Sequence, residues 1–206
     1  MEVRKKTSSL SVRDIVLVGV LSSVIVFLEI VVSMLLMPLM PLMFLVGTGV
    51  SGFLVAPVFL LMIFKVNKPG ALFLSSVIRA AFYTLMGWPT MFLVMIPIAF
   101  VGEWILSRPG AYRAIRWNTF AFVVYNALYS LHGVFLLSIF GYQLFFRSGQ
   151  FSPEQLASLG IYYVSPVFIL VIFLSGIAGA SMGCWFGWRI LQKHFIKSGL
   201  IHIQQG

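Results

Sequence analysis

The sequence predicts an all-α integral membrane protein with six transmembrane helices, both termini cytoplasmic, and a short extracellular helix between helices five and six. Three observations carry this. Of the 206 residues 60% are hydrophobic and 9% charged, whereas a soluble domain carries about 25% charged residues; the mean hydropathy is +1.03. Proline- and glycine-bearing turns cut the chain into apolar pieces near the roughly 20 residues that a helix needs to cross hydrocarbon. Basic residues gather at every second cut.

Taken in order, the first helix, 14–36, is entered through Ser11-Val12-Arg13-Asp14, which has capping-box spacing. The basic stretch before it is followed by no small-residue cleavage site, so the segment reads as a retained helix rather than a signal peptide. The second, 43–64, follows the methionine-rich stretch MLLMPLMPLMFL at 34–45. Asn67-Lys68-Pro69-Gly70 and Gly87-Trp88-Pro89 bound the third, 70–87, and open the fourth, 90–107, the two shortest. Ser107-Arg108-Pro109-Gly110 precedes the fifth, 117–140. The last, 163–190, follows a loop over 141–162 in which Ser152-Pro153-Glu154-Gln155 predicts a short surface helix ending near Gly160. All of 1–206 reads as one membrane domain.

Lys and Arg in short loops stay on the cytoplasmic side. Arg4, Lys5, Lys6 and Arg13, then Lys65 and Lys68, then Arg108, Arg113 and Arg116, then Arg189, Lys193 and Lys197 put twelve of the fourteen basic residues on one face of the six-helix reading. Arg147 falls in an outer loop and Arg79 inside the membrane. The net charge of +9 is then a matter of topology and anionic lipid, with no nucleic-acid partner required. The tryptophans, Trp88, Trp104, Trp117, Trp185 and Trp188, fall near helix ends, as interfacial tryptophans do.

Ionisable groups within hydrocarbon are functional candidates because each costs several kcal/mol unless paired or wetted. Glu103 is expected to pair with Arg108, Arg113 or Arg116. For Glu29 and Arg79 two readings stand side by side: an ion pair with each other, or an arginine facing a cavity and holding an anionic ligand. His132, with Tyr125, Asn126 and Tyr129 one to two turns before it, completes a polar patch; 125, 129 and 132 share a helix face. Tyr83, Trp88, Tyr142, Tyr162 and Tyr163 add aromatics at the same outer side, where a ligand pocket is expected. Ser175, Gly179, Gly183 and Gly187 form a small-residue stripe that suits close helix packing, and Gly19-x-x-x-Ser23 a shorter one. No HExxH, GxSxG or Walker A motif occurs and the three histidines sit on separate segments, so neither an enzyme nor an ATPase is expected. The single cysteine, Cys184, leaves no disulfide or CxxC site.

Three segments carry a family resemblance: Val12-Arg13-Asp14-Ile15; Ala99-Phe100-Val101-Gly102-Glu103-Trp104 with Arg108-Pro109-Gly110-Ala111-Tyr112-Arg113; and the tail from Gly187-Trp188-Arg189 to Gly199-Leu200-Ile201. They resemble the Trep_Strep branch of S components, the substrate-binding subunits of energy-coupling factor (ECF) transporters in the bacterial plasma membrane. The resemblance implies a vitamin-like micronutrient bound in the outer half of an S-component bundle under a lid between helices one and two. It also implies delivery by toppling, driven by a coupling membrane protein and two ABC ATPases that use ATP. Gly19 and Ser23 match the small-residue spacing of the family's docking motif, though not its alanines. Haem is the substrate candidate it names, with His132 or a lid methionine such as Met37 or Met40 as axial ligand. A stand-alone secondary transporter and a ligand-free assembly subunit are the competing classes. Prolines at 38 and 41 are expected to break the 34–45 stretch into an extended apolar turn whose four methionines do not share a face.

Overall fold

The computed structural model describes residues 9–141 and 153–193. Among them the chain is helical, with no strand: α1 Val12–Leu36, α2 Met40–Val66, α3 Ala71–Leu85, α4 Met91–Leu106, α5 Ile115–Ser130, α6 His132–Phe140, α7 Pro153–Val164 and α8 Pro166–Leu191, with short 3-10 turns at Met37–Leu39 and Ala111–Arg113.

Cross-helix bonds fix how these rods run. Lys68 Nζ, just past the end of α2, meets Asp14 Oδ2 at the start of α1 at 2.6 Å, so α1 and α2 are antiparallel. Ser22 bonds Ser75 at 2.8 Å and Glu29 bonds Arg79, so α1 and α3 run together. Phe73 N donates to Glu103 at 3.0 Å, turning α4 back against α3. Tyr125 and Tyr129 pair with Arg79 and Tyr83, placing α5 alongside α3, and α8 returns along α2. The result is an alternating bundle. The expected capping box closes the start of α1, with Ser11 Oγ and N both bonded to Asp14. Between α2 and α3 the chain reverses through Asn67 at φ 49° and Gly70 at φ 90°, left-handed positions that Asn and Gly tolerate.

The α2–α8 interface is the tightest and explains the small-residue stripe. A Cβ on Gly183 would lie 2.5 Å from Phe53 O, and one on Gly187 2.8 Å from Pro57 Cα. One on Gly49 would lie 2.5 Å from Ser175 O, and one on Gly179 would land on the Gly49 carbonyl. Pro57, inside α2, has no N–H for Phe53 O; Gly183 packs its backbone on that freed carbonyl, where a weak Cα–H···O contact is the available compensation. The stripe is internal packing.

Several boundaries differ from the sequence reading. Helix two begins at Met40 because Pro41 sits in its first turn, where no N–H is needed. Helix five is two helices, α5 and α6, bent by 40° at Leu131. The surface helix runs to Val164, past Gly160, before Ser165 and Pro166 start α8. Length and apolarity qualify α8 and the α1–α2 run, Val12–Val66, as membrane spans, and the α5–α6 pair as a third if its bend is tolerated. At 15 and 16 residues, α3 and α4 reach about 22–24 Å at 1.5 Å per residue, short of a hydrocarbon core of about 30 Å.

Among the described residues, every Lys and Arg except Arg79 lies at the bundle end that holds the N-terminus of α1. Arg108 stacks on Trp117 at 4.3 Å and Arg189 on Trp185 at 4.4 Å. Glu103 does not take the expected arginine. It accepts from the Phe73 N–H in the first turn of α3, which has no side-chain cap of its own, and from the Tyr112 hydroxyl. A carboxylate at a helix N-terminus is favoured by the free N–H groups and the helix dipole. Burial, then the Glu103 charge, pushes the Tyr112 hydroxyl well above the usual phenol value, so it stays a donor. Tyr142, Arg147, His194, Lys197 and His202 lie outside the described residues.

Candidate functional site

At the opposite end, the C-terminal ends of α1, α3 and α5 meet the N-terminal ends of α2 and α4, together with α6 and the end of α7, around a cavity of about 380 Å³. That is within the range of small-molecule sites, about 300–1,000 Å³. Its apolar wall is largely methionine: Met34, Met37, Met40, Met43, Met86 and Met91. Phe44, Trp88 and Tyr163 supply aromatic surface, and Glu29, Tyr83, Tyr129 and His132 the polar side.

The 34–45 stretch corrects the sequence reading. Only Leu39, at φ −108° and ψ 56°, leaves helical geometry. Pro38 and Pro41 occupy the first turns of the 3-10 turn and of α2, so they start helices instead of opening an extended turn. Near-continuous helix then brings Met34, Met37, Met40 and Met43, at spacing three, to line one cavity, where the sequence reading expected no shared face.

The Glu29–Arg79 question resolves as a pair. Both are buried, at 5% and 6% exposure, and Arg79 donates to Glu29 Oε1 through Nη2. Nη1 donates to Tyr125 Oη at 3.2 Å, and the guanidinium lies over the Tyr125 and Tyr129 rings at 5.4 and 5.5 Å. Tyr129 donates to Tyr83 at 3.3 Å and Tyr83 to Glu29 Oε2 at 3.1 Å, closing a network across α1, α3 and α5. Glu29 lines the cavity and Arg79 does not; with Tyr125, Arg79 borders only a void of about 10 Å³, the room of one water molecule.

Tyr125, Tyr129 and His132 form the expected column of rings, 6.3 Å apart at the first step and 5.0 Å at the second, continuing across the break at Leu131. Only Tyr129 and His132 reach the cavity. His132 Nδ1 is 2.8 Å from Tyr129 O. A carbonyl only accepts, so Nδ1 carries the proton and, in the neutral ring, Nε2 is left as an acceptor or metal ligand.

Asn126, expected among the ligand-binding residues, does not line the cavity. Its Nδ2 donates to Gly176 O at 2.9 Å and reaches Thr48 O at 3.4 Å, and a Cβ on Gly52 would meet it at 2.5 Å. Gly52 makes room for an amide that joins α5 to α2 and α8. Asn126→Ala is expected to lower stability by about 1–3 kcal/mol, the cost of unmaking buried hydrogen bonds, while leaving ligand affinity at the cavity unchanged; thermal unfolding and a binding isotherm on one preparation separate the two. Gly19 and Ser23 are elsewhere, on the outward face of α1: a Cβ on Gly19 meets nothing within 4 Å, and Val16 and Val20 beside it are 59% and 57% exposed.

The sequence reading missed Phe44, Thr48, Met86 and Met91. Met86 and Met91 flank the Gly87-Trp88-Pro89 turn, and their proximity to a tryptophan already placed at the outer end was the available signal.

A family profile described as "Hypothetical bacterial integral membrane protein (Trep_Strep)" matches residues 12–197. The chain belongs to the Trep_Strep family. The match begins with α1 and includes every cavity-lining residue named above. Among curated proteins and solved structures none matches the chain. As a Trep_Strep member it is a bacterial integral membrane protein, and its apolar helices suit that placement.

Proposed function

We propose that this Trep_Strep protein is the membrane-embedded substrate-binding subunit of an ECF-type importer in the bacterial plasma membrane. It spans the bilayer six times with both termini cytoplasmic. It captures a vitamin-like compound from outside and delivers it by toppling when docked on a coupling membrane protein and two ABC ATPases, which consume the ATP. The observation that carries this is the methionine- and aromatic-lined cavity at the end of the bundle away from the basic residues. The positive-inside rule makes that the outer end. The α1–α2 junction forms one wall and serves as the lid, its unbranched thioethers adapting to an apolar ligand. The short α3 and α4 are accommodated by local thinning of the bilayer. No catalytic step is assigned to the chain.

The open face of α1 at Gly19 and Ser23 suits a partner helix. Tagged protein is expected to bring down a coupling protein and an ATPase pair, and Gly19→Leu or Ser23→Leu to cut that recovery at least tenfold without moving the unfolding temperature. Substrate uptake by the purified chain alone in liposomes would overturn the reading in favour of a secondary transporter.

Haem is the competing view of the substrate. His132, whose Nδ1 is held by Tyr129 O, lines one cavity with Met37 and Met40, so a Soret band on adding hemin that is lost in His132→Ala would establish it.

A further inference from the structure

We infer that the cavity takes an organic cation with a broad apolar face, held at Glu29, and discriminates against carboxylates. This rests on the chain being a substrate-binding subunit and names the class of its substrate. The order of the charges decides the sign. Glu29 is on the cavity wall, while Arg79 is off it, against the rings of Tyr125 and Tyr129. A ligand entering meets the carboxylate first, and an anion would face like charge at short range.

Hydrogen-bond bookkeeping points the same way. Most donors nearest the polar wall are already committed: Arg79 through both Nη atoms to Glu29 and Tyr125, Tyr83 to Glu29, Tyr129 to Tyr83, and Ser130 to Ala127 O. The Thr48 hydroxyl on the wall has no partner and can donate or accept; the other open positions on the polar side are acceptors. A carboxylate has about four lone-pair sites, two of which Arg79 and Tyr83 fill, and the neutral His132 ring keeps Nε2 free. Such a wall suits a ligand that donates. The opposite surfaces suit a cation as well, because Trp88, Tyr163 and Phe44 offer π-faces and edges beside the thioethers, and aromatic rings with a desolvated cation gain more than with a neutral group.

The test uses the full chain in zwitterionic nanodiscs and two probes of equal ring size and opposite charge, 2-naphthylmethylammonium and 2-naphthoate, titrated calorimetrically with empty nanodiscs subtracted. The ammonium probe is expected to bind saturably and at least tenfold more tightly than the carboxylate. Glu29→Gln should reduce that preference to threefold or less. Because that variant leaves Arg79 buried and unpaired, the charge-neutral pair Glu29→Gln with Arg79→Met is the second variant, and it too should lose the preference. Equal or tighter binding of 2-naphthoate, no saturable binding of either probe, an unchanged preference in the neutral pair, or a His132-dependent Soret band with hemin would each overturn the inference. Recovery of the ATPase module with no cation preference would leave the subunit reading intact; cation preference without the module would do the reverse.

Discussion

Gly179→Leu is expected to abolish a monodisperse folded protein, and Gly179→Ala to lower its unfolding free energy by at least about 3 kcal/mol, the upper end of the range for overpacked cores. The reason is that the obstacle is backbone on both sides. A Cβ at 179 would land on the Gly49 carbonyl, and the helices cannot part locally because Gly183 lies on Phe53 and Gly187 on Pro57 one and two turns further on. Intrinsic helix propensity argues the opposite way, since alanine favours a helix interior by about 1 kcal/mol over glycine. Gly19→Ala, where a Cβ meets nothing within 4 Å, isolates that propensity effect and should be neutral or slightly stabilising. Opposite signs for the two substitutions, read by thermal unfolding in detergent, are the diagnostic; two equal small effects would mean that α2 and α8 are not in backbone contact.

This contrast also shows what a sequence of this kind makes legible. The all-helical class, the turn positions and the internal role of the 175–187 stripe were readable because each follows from local chemistry: long apolar runs, proline and glycine at breaks, small residues at spacing four. The ion pair was readable as one of two options, because two opposite charges deep in apolar helices have few other partners. What was not legible depended on long-range placement. Asn126 looks identical in sequence whether it meets a ligand or the Gly176 carbonyl, and only the approach of α8 decides. Glu103 stood within reach of three arginines along the chain, yet the antiparallel return of α4 beside α3 hands it the Phe73 N–H. The methionine stretch was misread for a different reason. Proline was treated as a breaker, whereas at the first turn of a helix it is tolerated, and Pro38 and Pro41 both stand there.

Glu29→Gln is expected to cost about 3–5 kcal/mol, the penalty for stranding one member of a buried ion pair, and Arg79→Met less, because the carboxylate it strands lines the cavity. Made together they should cost far less than the sum, so that the coupling in the double-mutant cycle exceeds about 2 kcal/mol. The network predicts this in detail. With Arg79 gone, Glu29 keeps only Tyr83, and Tyr125 loses the guanidinium above its ring; with Glu29 neutral, Arg79 keeps only Tyr125 and the two aromatic faces. Arg79, stranded by Glu29→Gln, has beside it only the 10 Å³ void with room for about one water, whereas Glu29, stranded by Arg79→Met, lines the cavity and can draw water from it. The double variant removes both charges, and the amide oxygen that Glu29→Gln introduces can still accept from Tyr83. Unfolding of the four proteins in one micelle gives the coupling. If Glu29→Gln alone left stability unchanged, the guanidinium would be wetted and free to meet an anion, and both the buried pair and the cation-selective cavity built on it would fall together.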